Sequence, residues 1–379
     1  MNYRDAINIE DLRRIARRRL PHFVFSYVDG GAEDEITLNG NREAFVRLRF
    51  RPRTLVDVSK RDLATQLLGK RSALPVVVGP TGLNGLSWRD GDLELARAAT
   101  AAGVPFVLST VSMSFIEDIA REAPGRLWLQ AYVFSERRIT DALIRRALAA
   151  GFEGLILTSD FPVPGKRERD WHTGLLPKQH FTLATRLDML MHPRWLATVA
   201  TRRPRFVNIE RELGPGQDVN NFVGHGMFDP SFRWDDLKHF RDLWPRKLLL
   251  KGVLRADDAE RAAALGVDGL VLSNHGGRQL DSAISGIDAL PEVARAVGGR
   301  VSLLVDGGVR RGSDIAKAIA QGAEGVLLGR APVYGLAAGG AAGVTRAIEI
   351  LADEFDRTLA LTGCRNVAEL TPDLIAKSA

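Results

Sequence analysis

At 379 residues the chain is long enough to bury one large, barrel-sized core. Its composition, 45% hydrophobic and 26% charged, excludes a disordered or fibrous chain, and its single cysteine, Cys364, excludes an internal disulfide and suits a reducing, cytoplasmic compartment. A net charge of +6 favours anionic partners, and neither an apolar signal core in residues 1–5 nor an apolar run of bilayer length is present.

Residues 1–60 precede the first strand signal and are predicted to cap the core. Ile9, Leu12, Ile15 and Leu20 form a helical apolar stripe beside Arg13, Arg14, Arg17, Arg18 and Arg19. The arginines therefore read as a solvated helix face rather than a nucleic-acid patch, and no nucleic-acid partner is expected. Eight short apolar runs follow, at 75–82, 105–111, 127–133, 154–160, 247–253, 269–275, 302–308 and 325–331. They are continuous rather than alternating, as buried parallel strands are when helices cover them. Helical patterns between them include 92–102, 139–150, 257–265, 289–297 and 313–320. The order predicts an α/β fold, a closed (β/α)8 TIM barrel with an N-terminal helical cap, the whole chain 1–379 forming one domain. Thr81, Ser109, Gln130, Thr158, Asp160, Lys251, His275, Asp306 and Arg330 fall at the C-terminal ends of the runs, the face where such barrels place chemistry. A doubly wound open sheet would give no reason for polar residues at nearly every strand end.

One connection, 161–232, is far longer than an ordinary loop and shows little periodicity. It contains Met189-Leu190-Met191-His192-Pro193-Arg194-Trp195-Leu196 and, further on, Arg202-Arg203-Pro204-Arg205. Two readings stay open. The segment 189–205 lies on an anionic membrane surface, or the connection is a lid with a solvated basic edge.

The string Ser273-Asn274-His275-Gly276-Gly277-Arg278-Gln279-Leu280-Asp281 carries the chemistry. It sets a histidine and an arginine three residues apart on a turn with two glycines, which let backbone approach a flat ligand. Imidazole moves protons near neutral pH. Guanidinium grips a carboxylate through paired hydrogen bonds. A base beside a carboxylate clamp suits the oxidation of a 2-hydroxy acid.

The string resembles the active-site motif of the FMN-dependent L-2-hydroxy acid dehydrogenases and oxidases, and the likeness extends from about residue 9 to 363. Gly79-Pro80-Thr81-Gly82-Leu83-Asn84-Gly85, Arg167-Glu168-Arg169-Asp170 and Arg241-Asp242-Leu243-Trp244-Pro245 resemble the (S)-mandelate dehydrogenase branch. His192-Pro193-Arg194-Trp195 is similar to membrane-associated L-lactate dehydrogenases. The resemblance implies that His275 is the base, taking either the α-proton or the hydroxyl proton, and that Asp160 stabilises its imidazolium. It implies that Arg278, Arg167 and Tyr27 bind the substrate carboxylate and that Tyr132 contacts the substrate oxygen. Arg169 reads as solvated or salt-bridged.

The same resemblance implies bound FMN. Pro80, Thr81, Gly82, Ser109, Gln130, Thr158 and Ser273 would serve the ring, and Lys251 its pyrimidine edge, where reduction builds negative charge. Asp306 would take ribityl hydroxyls, and Gly308, Arg310, Gly329 and Arg330 the phosphate. With no haem domain ahead of residue 9, electrons are expected to pass to a separate acceptor, a quinone or oxygen. A homotetramer at the cytoplasmic face of the inner membrane is also implied. Gly82, where many oxidases carry alanine, leans toward a dehydrogenase. Among seven histidines no pair has metal-ligand spacing, so no metal is expected. His172, His180 and His192 read as solvated. No Gly-x-Gly-x-x-Gly turn follows a strand, so nicotinamide binding has no support. The expected reaction is oxidation of an (S)-2-hydroxy acid, mandelate-like substrates favoured. L-Lactate dehydrogenation and oxygen-dependent oxidation of lactate, glycolate or hydroxymandelate are the alternatives. A non-catalytic flavin or phosphate-binding barrel and a flavin-dependent isomerase are the rivals from other classes.

Overall fold

In the computed structural model, which describes residues 2–175, 181–199, 205–214 and 227–376, eight parallel strands close into a barrel. A two-stranded hairpin, β1 (Thr65–Leu67) and β2 (Lys70–Ser72), comes first. The barrel strands are β3 (Val76–Val78), β4 (Phe106–Ser109), β5 (Leu127–Ala131), β6 (Gly154–Thr158), β7 (Lys247–Val253), β8 (Gly269–Leu272), β9 (Ser302–Asp306) and β10 (Gly325–Leu328), with β10 pairing back onto β3. Each predicted run holds one strand. All but β7 stop short of the predicted C-terminal end, because residues such as 79–82 leave the ladder to form a cavity rim. Apolar pattern marks burial, not where hydrogen bonding ends.

Each barrel strand sends one side chain to the axis: Val77, Val107, Trp128, Ile156, Leu249, Val271, Leu304 and Leu327. Leu67 and Leu68 from the hairpin complete this inner cluster and close the N-terminal end. The hairpin is therefore the plug of that end. Arg126, just before β5, donates to the Leu67 carbonyl at 2.9 Å, and Glu324, just before β10, accepts from Leu68 N at 3.3 Å.

The N-terminal segment forms α1 (Ile9–Arg19), α2 (His22–Asp29) and α3 (Ile36–Arg47). Asn8 caps α1, its Oδ1 accepting from Asp11 N at 2.8 Å. The buried stripe Ile9, Leu12 and Ile15 packs on the C-terminal helix, while Arg17 and Arg18 stay in solvent. Arg13 departs from the solvated-face reading: it forms a two-pronged pair with buried Asp29 at 2.6 and 2.8 Å. The predicted covering helices are present as α4 (Gly91–Ala101), α6 (Arg137–Ala149), α12 (Ala256–Ala264), α13 (Gly286–Val297) and α14 (Gly312–Ala320). Two were not predicted. α5 (Ile116–Glu122) is only two turns long. α15 (Arg330–Thr362) is rich in glycine and alanine and kinks at Gly339–Gly340.

The long connection contains α7 (Glu168–Thr173), α8 (Leu183–Leu190), α9 (Pro193–Thr198) and α10 (Val207–Glu212), ahead of α11 (Leu237–Leu243). These helices are too short for a periodic stripe to show. Trp195 is 8% exposed and donates from Nε1 to the Leu86 carbonyl at 2.7 Å, which fastens α9 to the barrel. Among the described residues no helix is long and apolar enough to cross a membrane.

Candidate active site

A cavity of about 970 Å³ opens at the C-terminal ends of the barrel strands, a size suited to a cofactor with a small ligand. Tyr27, Pro80, Thr81, Gly82, Ser109, Gln130, Tyr132, Thr158, Arg167, Lys251, His275, Arg278, Asp306, Gly308, Arg310, Gly329 and Arg330 all line it. Asp160 and Ser273, picked out in the same reading, stand behind this wall. Ser273 is fully buried: its Oγ accepts from Lys251 Nζ at 2.9 Å and from His275 N at 2.9 Å, and donates to Asp306 Oδ2 at 2.7 Å. It thus aligns three groups of the cavity wall rather than facing the cavity.

His275 follows β8 in a left-handed backbone conformation, φ 60°. Its Nδ1 lies 3.1 Å from Asp160 Oδ1 and its Nε2 lies 3.2 Å from the Tyr132 hydroxyl. With Nδ1–H directed at Asp160, Nε2 keeps a lone pair for the cavity. Burial, reinforced by the Lys251 cation, holds the imidazole below its ordinary value despite the opposing pull of Asp160. Burial alone would raise the Asp160 carboxyl, but Lys251 and His275 outweigh it and the net direction is down. The resting dyad is an ionised carboxylate beside a neutral imidazole, as a base requires. Gly252, at φ 106° in the bulge of β7, makes this possible: a Cβ there would fall 2.6 Å from Asp160 Cβ.

At one side of His275 two guanidiniums meet one ring. Arg278 stands 4.7 Å and Arg167 5.7 Å from the Tyr27 ring centroid. Arg278 is anchored by the carbonyls of Tyr27 and Gly30, at 2.5 and 3.2 Å. Arg167 lies 3.5 Å from Asp170 Oδ2. Arg169 turns away to Asp29 and Glu35, so it is salt-bridged. An aromatic wall packs on Tyr132 and His275: Phe161 and Phe228 have centroids 4.4 Å apart, each about 5 Å from Tyr132, and Phe161 lies 5.3 Å from the His275 ring.

The floor is a polar relay. Ser109 Oγ donates to Gln130 Oε1 and Gln130 Nε2 to Thr158 Oγ1, both at 2.8 Å. At the far end a Cβ built on Gly329 would meet only Thr81 Cγ2, at 3.9 Å, so this turn opens on the cavity. The Arg310 guanidinium donates to the neighbouring Val309 carbonyl and lies over the Tyr334 ring. Arg330 differs from a simple phosphate ligand. Three of its N–H groups go to the carbonyls of Val28, Gly276 and Gly30, and burial lowers it to about 10. The polar floor, the open glycine turn and these cations fit a flat cofactor ending in a phosphate.

Several residues of the site had no sequence signal of their own. Gln279 uses its whole amide as a latch, donating to the Asp160 and Val163 carbonyls and accepting from Gly165 N, all at 2.9 Å. Asn41 and Asn274 exchange reciprocal amide hydrogen bonds at 2.9 and 2.7 Å. Of the two glycines after His275, Gly276 lines the cavity, but Gly277 admits the cap: a Cβ there would lie 2.5 Å from Leu38 N. Phe161 and Phe228 have no individual mark in the sequence, because an aromatic residue in a long connection reads equally as core.

Of the segment 189–205, residues 200–204 lie outside the described residues, as does His180. His192 Nδ1 is 2.8 Å from the Asp188 carbonyl. Leu183, Leu187, Leu190 and Met191 are exposed, so an apolar surface on and just after α8 begins before residue 189; Val163 and Trp171 are exposed elsewhere in the connection, whereas Trp195 is buried. Among the described residues no group of three His, Cys, Asp or Glu side chains is placed to hold a metal ion.

Residues 16–377 match the FMN-dependent dehydrogenase family. The (S)-mandelate dehydrogenase of Pseudomonas putida is 48% identical over 369 residues, which is 97% of this chain and 93% of that one. An L-lactate dehydrogenase of Caulobacter vibrioides is 44% identical over 372 residues, 97% of each chain. The crystal structure of a monotopic membrane protein, (S)-mandelate dehydrogenase, matches with a TM-score of 0.93 and 46% identity, covering 99% of this chain and 100% of that one.

Proposed function

Because the chain belongs to the FMN-dependent dehydrogenase family and performs FMN-dependent oxidation of (S)-2-hydroxy acids, we propose that its substrate is aromatic and mandelate-like, with His275 as the base. The observation that carries this reading is that His275, the two guanidiniums over Tyr27 and the aromatic pair Phe161–Phe228 line one cavity, with His275 Nε2 3.2 Å from the Tyr132 hydroxyl.

Bound FMN supplies the two-electron acceptor. Pro80, Thr81, Gly82, Ser109, Gln130, Thr158 and Lys251 hold its ring end, and Asp306, Gly308, Arg310, Gly329 and Arg330 its ribityl phosphate end. Arg278 and Arg167 clamp the substrate carboxylate against Tyr27. The substrate ring then rests on Phe161 and Phe228, which turns C2 and its hydroxyl toward Nε2 and the Tyr132 hydroxyl. His275 takes the substrate proton at Nε2 while Asp160 stabilises the imidazolium. Water is kept off by the aromatic wall and by the Gln279 latch on the segment 160–165.

The whole chain acts as one catalytic unit, with 1–60 and 161–232 as its cap and its lid or membrane segment. We further propose a separate quinone acceptor reached at an anionic membrane, through α8 and the segment 189–205; the exposed apolar row on α8 supports this contact. The four-chain assembly and the cytoplasmic side of the inner membrane rest on family resemblance alone. L-Lactate is the second reading, favoured by the 44% identity to an L-lactate dehydrogenase.

The test is anaerobic mixing of yellow, freshly purified protein with (S)-mandelate or L-lactate. Mandelate should bleach the flavin faster. His275→Ala should keep its flavin and lose about 10²–10⁴-fold in the reduction rate. Faster bleaching by L-lactate would replace the substrate assigned here, and wild-type reduction by His275→Ala would remove the base.

A further inference from the structure

The carboxylate end of the cavity carries a charge arrangement that the clamp alone does not explain. Arg278 and Arg167 share one face of the substrate space, both against Tyr27. Arg278 is half-buried, and burial together with the charge of Arg167 pulls its pKa down. Two like charges so placed repel unless an anion lies near.

Among the described residues, two acidic side chains line the cavity, Asp170 and Asp306. Asp306 is engaged at the other end, with Ser273 and Lys251. Asp170 is 2% exposed and stands within the first turn of α7, three residues after Arg167. Its Oδ2 is buried, lies 3.5 Å from Arg167 Nε and has no hydrogen-bond partner. A buried carboxylate oxygen left in this state is costly unless it serves a charge beside it. Counted over Arg278, Arg167 and Asp170 alone, the clamp sums to one positive charge, the complement of one carboxylate; without Asp170 the same count is two.

We propose that Asp170 is a specificity-determining residue that holds Arg167 and sets this subsite to a single net positive charge, matching a monocarboxylate. Asp170 also faces the bound carboxylate as a like charge, so it limits how tightly substrate and product anions are held. The proposal rests on the 2-hydroxy acid reading above.

The experiment measures binding to the oxidised holoenzyme by flavin absorbance, with the anion phenylglyoxylate and its uncharged amide, phenylglyoxylamide. In Asp170→Asn the affinity ratio of anion to amide should rise about tenfold, a modest value for removing one near like charge. Asp170→Glu should keep the wild-type ratio. Arg167→Gln should lower the ratio, and the double variant Arg167→Gln with Asp170→Asn should return close to wild type, because its charge sum is again one. Parallel changes for anion and amide would mean a packing role and overturn the proposal, as would an unchanged or lower ratio in Asp170→Asn. If Asp170→Asn fails to hold flavin, Asp170→Ser, which also removes the charge, is read in its place: its ratio should rise in the same way, and an unchanged or lower ratio would overturn the proposal. Binding is read without turnover, so failure of wild-type bleaching would count against the reaction assigned above and not against Asp170.

Discussion

His275 holds its imidazole on a left-handed backbone that costs a non-glycine residue about 1–3 kcal/mol. That strain is held in place by hydrogen bonds on both sides, from its own amide to Ser273 Oγ and through the Asn274–Asn41 pair. The lowered pKa has a defined consequence for rate. A base whose pKa is depressed sheds its proton at lower pH, so it stays competent through the neutral range and loses activity only as pH falls through the depressed value. The acid limb of kcat/KM should therefore lie below the ordinary 6.5. Asp160→Asn removes the group that raises His275, so the limb should move lower still while the rate falls by about 10²–10⁴-fold. A pH–rate profile that breaks above 6.5, or a limb that moves up in Asp160→Asn, would contradict this electrostatic account. At this scale His275 and Arg278 were legible because they share one short string. The positions of Asp160 and Ser273 behind the wall were not, because a strand end marks a face of the barrel and not a depth within it.

Among the elements, α3 shows how the cap is fastened to the chemistry. Glu35, at its N-terminus, has φ 61° and makes no side-chain cap. The cap comes instead from the loop after β8: Asp281 accepts from Thr37 N at 2.7 Å and from Ile36 N at 3.2 Å. A carboxylate there satisfies two free amides and meets the positive end of the helix dipole. Asp281→Ala should lower stability by about 1–2 kcal/mol, the usual loss for a missing cap. Urea unfolding reads this loss, and faster release of flavin should accompany it because the same loop carries His275 and Arg278. A midpoint within error of wild type would show that solvent replaces the cap. The short helices α7 to α10 were illegible for a related reason: each is held by partners elsewhere, as Trp195 is by Leu86, and not by a stripe of its own.

For the molecule as a whole, the barrel sets one face to chemistry and closes the other with the β1–β2 hairpin. α2, α7 and α8 gather around the chemical face, with α8 packed on α2. Exposed apolar residues on α8 therefore sit near the cavity, where an acceptor held in a lipid surface could exchange electrons with a bound flavin. The protein should sediment with anionic vesicles at low salt and be partly released as ionic strength rises. Leu187→Asp with Met191→Asp should leave it in the supernatant, with flavin and dye-linked activity intact. Wild-type protein that stays in solution with anionic vesicles at low salt would remove the membrane contact and make α8 part of a lid.

What the sequence determined by itself was local. Continuous apolar runs separated by helical stripes specify strands and helices through contacts a few residues apart, and the order of elements then leaves a parallel barrel as the arrangement that buries them. The string around His275 likewise carried its chemistry within nine residues. Barrel closure decided the rest. It brings Asp160 to His275 across 115 residues and Tyr132 across 143. Such partners share no local propensity; their hydrogen bonds exist only because the strands around the barrel fix the spacing of their ends. The same holds for Asp170, whose sequence position places it beside Arg167 but which is buried, with Arg167 over the Tyr27 ring, where α7 packs on α2.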